Sequence, residues 1–400
     1  MSNKSLICSF LCLSLIILFS LPCVTAQQIG NGTLEEPYQI QNIEDLIQVR
    51  NNLSANYILM NDLDGVELPD WTPIGNINSF GGTFNGNNKT ISNISISSND
   101  YKIIPLGLFG SVDENGRITN LVTSNITIRI EGKQDGKYAG PIAGYNLGYI
   151  ENCHSRNVTI ELENGKVGGI AGVNYGRITV CSSAGDLKAS EVGGIVGSNI
   201  EGMISNSYSN ATITNSERAG GIAGTNFKGN IQNCYSDNVL NSSKISGGIV
   251  GANYDNGKIQ YCYSLSSILG NTLIAGGITG TNQGYIEDCI SLNKCINRAK
   301  YLNISNFPHL IELNRGASIG FISGKTDYDK IPLNCYYSNQ IVTNKFCHHE
   351  ENGYPLSNEA IADTFPHFAW EGWDNQIWML SHTSNIPILI WQNNTNKPIM

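Results

Sequence analysis

Charge is scarce in this chain: Asp, Glu, Lys and Arg make up 14% of its 400 residues, and the net balance is −9. No basic tract or Lys/Arg stripe appears, which argues against nucleic acid or an anionic membrane surface as a partner. Helical periodicity sustained over a full window is missing too. Beyond residue 26 no apolar stretch is long enough to cross a bilayer. Also absent are H-E-x-x-H and C-x2-C, so zincin and paired-thiolate metal chemistry lack their usual signatures.

What is present begins with Lys4, an apolar run from Leu6 to Leu21, and Val24-Thr25-Ala26. This pattern predicts a signal peptide over residues 1–26, cleaved before Gln27. An uncleaved anchor is the competing reading, but the run is short for a span. Pro22 before Cys23 speaks against a lipoprotein. The expectation is a mature chain that is secreted or held at a surface, with no transmembrane span of its own.

The strongest signal is internal repetition. Gly140, Gly168, Gly193, Gly220, Gly247 and Gly276 follow one another at intervals of 28, 25, 27, 27 and 29 residues. Two residues after each stands an isoleucine, and six after each an asparagine: Asn146, Asn174, Asn199, Asn226, Asn253 and Asn282. A second isoleucine column (Ile150, Ile178, Ile204, Ile231, Ile259, Ile286) lies three residues before Cys153, Cys181, Ser207, Cys234, Cys262 and Cys289. "LGLFG" at Leu106–Gly110 and "GASIGFISG" at Gly316–Gly324 read as degenerate flanking units.

Each unit holds short β-branched runs between turn residues. One coil of about 27 residues with two or three short strands, stacked on its copies, is a parallel β-helix. The fold class is therefore all-β: a β-solenoid of about seven to eight coils with capped ends and a short N-terminal capping helix. At about 4.8 Å per coil the rod is roughly 35–40 Å long before its caps.

A phosphate loop needs its glycines once, ahead of a helix, and six copies without one point to backbone geometry instead. Glycine recurs where φ is positive or neighbouring chains approach closely. The asparagines are expected to stack at one corner as a hydrogen-bonded ladder, with a ligand-binding column as the alternative.

The unit Gly-Gly-Ile-(Ala/Val)-Gly-x-Asn…Gly-x-Ile…Cys-Tyr-Ser resembles the GLUG repeat of bacterial and archaeal surface proteins, including adhesin-like proteins and regions of immunoglobulin A peptidases. "NYILMNDLDG…WTPIG…FGGTFNGNNKTISNISI" is similar to the segment that precedes such repeats, and "EGWDNQIWML…IPILIW" to the Trp-rich ending after them. The match covers roughly Gly30 to Trp391. Pro141 departs from it, standing where the second glycine belongs.

On this reading residues 27–105 form an N-terminal cap and first strands, 106–299 the GLUG-like repeat solenoid, and 300–400 degenerate coils and a Trp-rich C-terminal cap. Ile43 to Arg50 is the amphipathic helix candidate that covers the first coil. Trp370, Trp373, Trp378 and Trp391 crowd the other end.

Eight cysteines follow the signal segment: Cys153, Cys181, Cys234, Cys262, Cys289, Cys295, Cys335 and Cys347. Five share one repeat position that Leu121 and Ser207 also fill, which favours a buried column of thiols over inter-coil disulfides. Cys347-His348-His349-Glu350-Glu351 is the densest group of potential ligands, and reads as a solvated loop. Asp62-Leu63-Asp64-Gly65 lacks the spaced acids and terminal glutamate of a calcium loop and reads as strand and turn. No metal, cofactor or catalytic residue is assigned. Asn31, Asn52, Asn88, Asn93, Asn125, Asn157, Asn210, Asn241, Asn303 and Asn393 fit the N-glycosylation pattern.

The function expected is a secreted, non-catalytic surface protein of adhesion or envelope type, with a glycan, envelope polymer or surface protein as partner. The alternative is a polysaccharide lyase or glycoside hydrolase on the same scaffold. Glycoside hydrolysis wants two carboxylates at fixed separation, and the acids of the repeats occupy different registers. Tyr208, Tyr235 and Tyr263 offer aromatic faces to a sugar, or simply cover the strands.

Overall fold

The computed structural model describes residues 29–296 except 69, 98–104, 133–135, 215, 242–243 and 271, and then 318–320, 322–326, 330, 332–333, 335–338, 342–343, 354–356, 373–380 and 387–393. The signal segment, Trp370, Asn303 and the 347–351 cluster lie outside the described residues.

One coil runs through four strands: Tyr138–Ala139, Ala143–Asn146, Tyr149–Glu151 and His154–Leu162. The next coil repeats them as Lys166–Gly168, Ala171–Asn174, Arg177–Thr179 and Ser182–Lys188. Like strands pair in parallel, with Gly168 opposite Gly193 and Asn174 opposite Asn199. The first and second strands build eight-stranded sheets, the third a ten-stranded sheet that begins at Tyr38–Ile40. The fourth strands form a 17-stranded sheet, because in several coils they split in two, as Val122–Ser124 and Thr127–Ile130 do. The molecule is thus a parallel β-solenoid of about eight coils.

Four strands per coil exceeds the two or three expected, and the reason is a one-residue corner. Asn120, Asn152, Val180, Asn206, Asn233, Tyr261 and Asp288, each just before the cysteine position, all have φ near +50°. A single residue in the left-handed region turns the chain without a recognisable turn sequence, so a run that reads as one strand becomes two.

The interior is filled by the repeated isoleucines. Ile142, Ile170, Ile195, Ile222, Ile249 and Ile278 are fully buried, as are Ile150, Ile178, Ile204, Ile231 and Ile259 in the second column. Burying such a side chain stabilises by about 2 kcal/mol relative to exposure, so the columns supply the main drive for stacking. In the first coils aromatics take over: Phe109 packs on Phe80 at 5.0 Å and on Phe84 at 5.3 Å between ring centroids.

The N-terminal helix spans Ile43–Gln48, with a 3-10 turn over Val49–Asn51 completing the predicted segment. Asn42 caps it, accepting the Asp45 N–H at 2.9 Å, and Asp45 accepts the Gln41 N–H in return at 2.9 Å. Such reciprocal bonds satisfy donors that a helix start leaves free. Leu46 and Val49 enter the common core, and the Arg50 guanidinium lies 4.2 Å over the Trp71 ring.

The repeat glycines serve close approach and not positive φ. None of Gly168, Gly193, Gly220 and Gly247 lies in the left-handed region. A Cβ on Gly221 would overlap the Gly248 carbonyl oxygen of the next coil and the Ser236 side chain. The doubled glycine therefore admits a buried serine column: Ser183, Ser209, Ser236 and Ser264 stand in the same register against Gly169, Gly194, Gly221 and Gly248. Ser236 Oγ donates to the Gly248 carbonyl at 2.5 Å.

Candidate functional site

Three axial columns and one flank carry the polar and aromatic chemistry. The asparagines at the end of each second strand are at most 1% exposed. Asn146 Nδ2 donates to Asn174 Oδ1 at 2.7 Å, and the chain continues through Asn199, Asn226, Asn253 and Asn282 at 2.8 to 2.9 Å. The second N–H of each amide reaches a glycine carbonyl a few residues on: Gly148, Gly176, Gly202, Gly229, Gly257 and Gly284. These amides face inward and are spent on the fold, so no ligand meets them. The ladder starts opposite Val112, and Asn146 Oδ1 has no hydrogen-bond partner there.

The cysteine column is internal as well. Cys153, Cys181, Cys234, Cys262, Cys289 and Cys335 are buried free thiols; Cys295 is free and half-buried. Each buried thiol donates to the carbonyl two residues earlier, at 3.1 to 3.3 Å. Ser207 makes the same bond to Ser205 at 2.7 Å, which explains why serine substitutes at this position. Burial pushes the Cys181, Cys262, Cys289 and Cys335 thiols well above their ordinary pKa. Such protonated, shielded thiols are poor nucleophiles and poor ligands.

Next to the cysteines runs the column His154, Ser182, Tyr208, Tyr235, Tyr263, Ile290. The Tyr208, Tyr235 and Tyr263 rings stack in parallel 4.9 Å apart. Neither expectation for these tyrosines holds: they are not open to a sugar, and they are not exposed covers. The C-terminal segment lies on them. Its hairpin pairs Trp378–Leu380 with Pro387–Leu389, and the turn Ile390–Asn393 follows. Trp373 and Trp378 pack on Tyr263, and Trp391 on Tyr208. Tyr263 OH donates to the Pro387 carbonyl at 2.5 Å, Trp378 Nε1 to Asn233 Oδ1 at 3.3 Å, and Trp391 Nε1 to the Asn206 carbonyl at 3.0 Å. The described part of the Trp-rich ending therefore lies along the flank of the coils, where the sequence suggested a plug over their end. Aromatic rings bury more area against a stacked aromatic column than against a single terminal coil.

What remains open is a stripe one residue past each ladder asparagine. Tyr175, Ile200, Phe227 and Tyr254 follow the register coil by coil, with Tyr175 38% exposed and the others half-buried. Tyr145, one residue before Asn146 and in the register of Val173, packs against its end, 5.4 Å from Tyr175 and 6.1 Å from Tyr138. Burial and the neighbouring Tyr175 push the Tyr145 phenol up to about 12, so it stays a neutral donor. Lys228 sits 5.2 Å from the Phe227 ring and 3.3 Å from Asp255. In the sequence this stripe is only the residue after Asn174, Asn199, Asn226 and Asn253, whose type changes from coil to coil.

Of the repeat carboxylates, Glu201 and Asp255 flank Lys228 beside the stripe, at 3.9 and 3.3 Å, as its ion-pair partners. The buried one, Glu191, is held by Arg218 at 3.1 Å and Lys166 at 3.8 Å. Asp62 and Asp64 accept the backbone N–H groups of Thr90 and Val66 and serve the strand and turn. Among the described residues no group of three His, Cys, Asp or Glu is placed to hold a metal ion, and no helix is long and apolar enough to cross a membrane.

Seven of the glycosylation candidates, Asn31, Asn52, Asn88, Asn125, Asn157, Asn210 and Asn241, are exposed, and Asn93 is half-buried. Asn393 ends the last helical turn. Asn93, Asn125 and Asn157 occupy one corner in consecutive coils, each with φ between 51° and 58°. The Asn125 amide donates to Asn93, and Asn93 to Asp64, so a glycan on either nitrogen would displace a ladder bond.

Comparison with known proteins agrees with this architecture. A provisionally named glycine-rich membrane protein of Evansella cellulosilytica is 37% identical over 131 residues, 31% of this chain and 15% of that protein. Halomucin of Haloquadratum walsbyi is 36% identical over 113 residues, 26% of this chain and 1% of its own length. The chain thus spans only a small part of these curated relatives. Among solved structures, a provisionally named immunoglobulin A1 protease from Bacteroides ovatus superposes with a TM-score of 0.52 at 21% identity, over 90% of this chain and 94% of that one, a likeness of fold alone. Residues 189–214 match the GLUG motif, and the chain is a parallel β-solenoid that carries it.

Proposed function

We propose that this chain is a secreted, non-catalytic solenoid displayed at a cell surface, where it binds an extended glycan or envelope polymer along one edge. The observation that carries the reading is the stripe Tyr175, Ile200, Phe227 and Tyr254, with Tyr145 packed on Tyr175, which presents large apolar side chains at the spacing of the coils. Tyr rings offer an apolar face to a sugar and a hydroxyl to water, and a linear polymer matches a linear array of them. Catalysis would need unlike groups converging with perturbed acid–base behaviour, which a stripe of neutral side chains does not supply.

The test incubates the secreted protein with a broad panel of polysaccharides and envelope polymers, plus immunoglobulin A because of the neighbouring structure's name. Binding is read by calorimetry and turnover by product release. Binding to at least one extended polymer without product is the expected result. Metal-dependent or metal-independent cleavage of any panel member would replace this reading with an enzymatic one.

A further inference from the structure

We propose that the C-terminal Trp hairpin is an acid-released strap: protonation of His154 lifts Trp391 and the segment it belongs to off the tyrosine column. His154 opens the column that the strap covers, and its ring stacks on Trp391 with centroids 5.4 Å apart. The ring is 9% exposed, with Nδ1 2.9 Å from Ser182 Oγ and Nε2 3.2 Å from Asn152 Oδ1. In the neutral ring Nε2–H donates to Asn152 and Nδ1 accepts from the serine hydroxyl, so both nitrogens are satisfied.

A second proton turns Nδ1 into a donor and forces Ser182 to donate elsewhere. Its next neighbour in the column is Tyr208, and Gln392 of the strap donates to the following ring, Tyr235 OH, at 2.6 Å. Tyr208 has both Ser182 and Gln392 as side-chain hydrogen-bond partners, so the redirected serine hydroxyl competes with the strap for the Tyr208 oxygen. The groups facing His154 are Asn152 at the preceding corner, Arg156 on its own strand, Ser182 on the next coil and Trp391 on the strap. Arg156 alone among them is charged, and its buried Nε has no hydrogen-bond partner. A stacked Trp391 attracts a cation, but burial first and Arg156 second hold the imidazole down at about 4, against an ordinary 6.5.

A ring whose pKa is depressed when docked contributes to docking above about 6.5 and loses that contribution as pH falls toward 4. Each pH unit in that window weakens docking by up to about tenfold.

Hydrogen exchange of peptides covering 373–393, corrected for intrinsic rates, tests this on the full chain at pH 7, 6, 5 and 4. Wild type should lose strap protection stepwise below pH 6.5 while the Gly168–Asn282 strands stay protected. His154→Phe keeps a ring against Trp391 but cannot titrate, and should hold its protection to pH 4. Should that variant misfold, Trp391→Ala provides the second arm. It should expose the strap already at pH 7 and bring the His154 ring, followed by NMR, back toward 6.5. Equal strap protection at pH 7 and 4 in wild type, an unchanged pH profile in His154→Phe, or an unmoved His154 titration in Trp391→Ala would each overturn the proposal.

Discussion

Two corners of the same coil treat asparagine differently. At the end of the second strand all six residues are asparagine, from Asn146 to Asn282. At the left-handed corner before the cysteines the occupants are Asn120, Asn152, Val180, Asn206, Asn233, Tyr261 and Asp288. The first corner is buried and every amide N–H is bonded, so another side chain leaves a donor and an acceptor unpaired in the interior. The second asks only for a positive φ, which Asn adopts easily and Val or Tyr adopts at a cost of about 1–2 kcal/mol. An invariant repeat residue thus marks a chemical requirement, and a drifting one marks a conformational preference.

The severest break is expected outside both corners. Gly221→Val puts a branched side chain against the Gly248 carbonyl and Ser236, neither of which can withdraw without separating two coils. Loss of cooperative unfolding or of secreted protein is the expected outcome, checked by circular dichroism and yield. Next comes the ladder: Asn199→Ala removes the bonds to Asn226 and Gly202 and strands the Asn174 amide. A loss of about 2–4 kcal/mol is expected in denaturant titration. At the permissive corner the sign reverses, and Val180→Asn should stabilise by about 1 kcal/mol by relieving the strain at φ 54°. The smallest effect concerns the thiols. Cys181, Cys262, Cys289 and Cys335 should resist alkylation in the folded protein even at pH 9, because burial shields them and keeps them protonated, while the half-buried Cys295 reacts slowly.

The coil, its register and its inward columns were legible because each repeated side chain answers a local demand that recurs every turn. Glycine was legible as a backbone requirement, either a positive φ or a close approach, and the buried serine column that makes it the latter showed only once Gly221 and Ser236 met across adjacent coils. The left-handed corner was hidden because one residue, as different as Asn152, Val180 or Tyr261, makes it. Least legible was the flank. The contact of Tyr263 with Pro387 spans 124 residues, and no periodicity records which side of a rod a terminal segment will find. That contact removed the tyrosines the sequence had offered as a binding face and left the variable stripe beside the ladder.

The central claim is that invariant residues build the rod while the variable stripe meets the ligand. Comparing Asn199→Ala with the triple variant Tyr175→Ser, Phe227→Ser, Tyr254→Ser, by melting and by calorimetry with the polymer that wild type binds, tests it most directly. The account predicts that the triple variant melts within a few degrees of wild type and loses at least about tenfold in affinity, while Asn199→Ala melts lower but binds as wild type when folded. Wild-type affinity in the triple variant, with binding lost only when the ladder is cut, would contradict it.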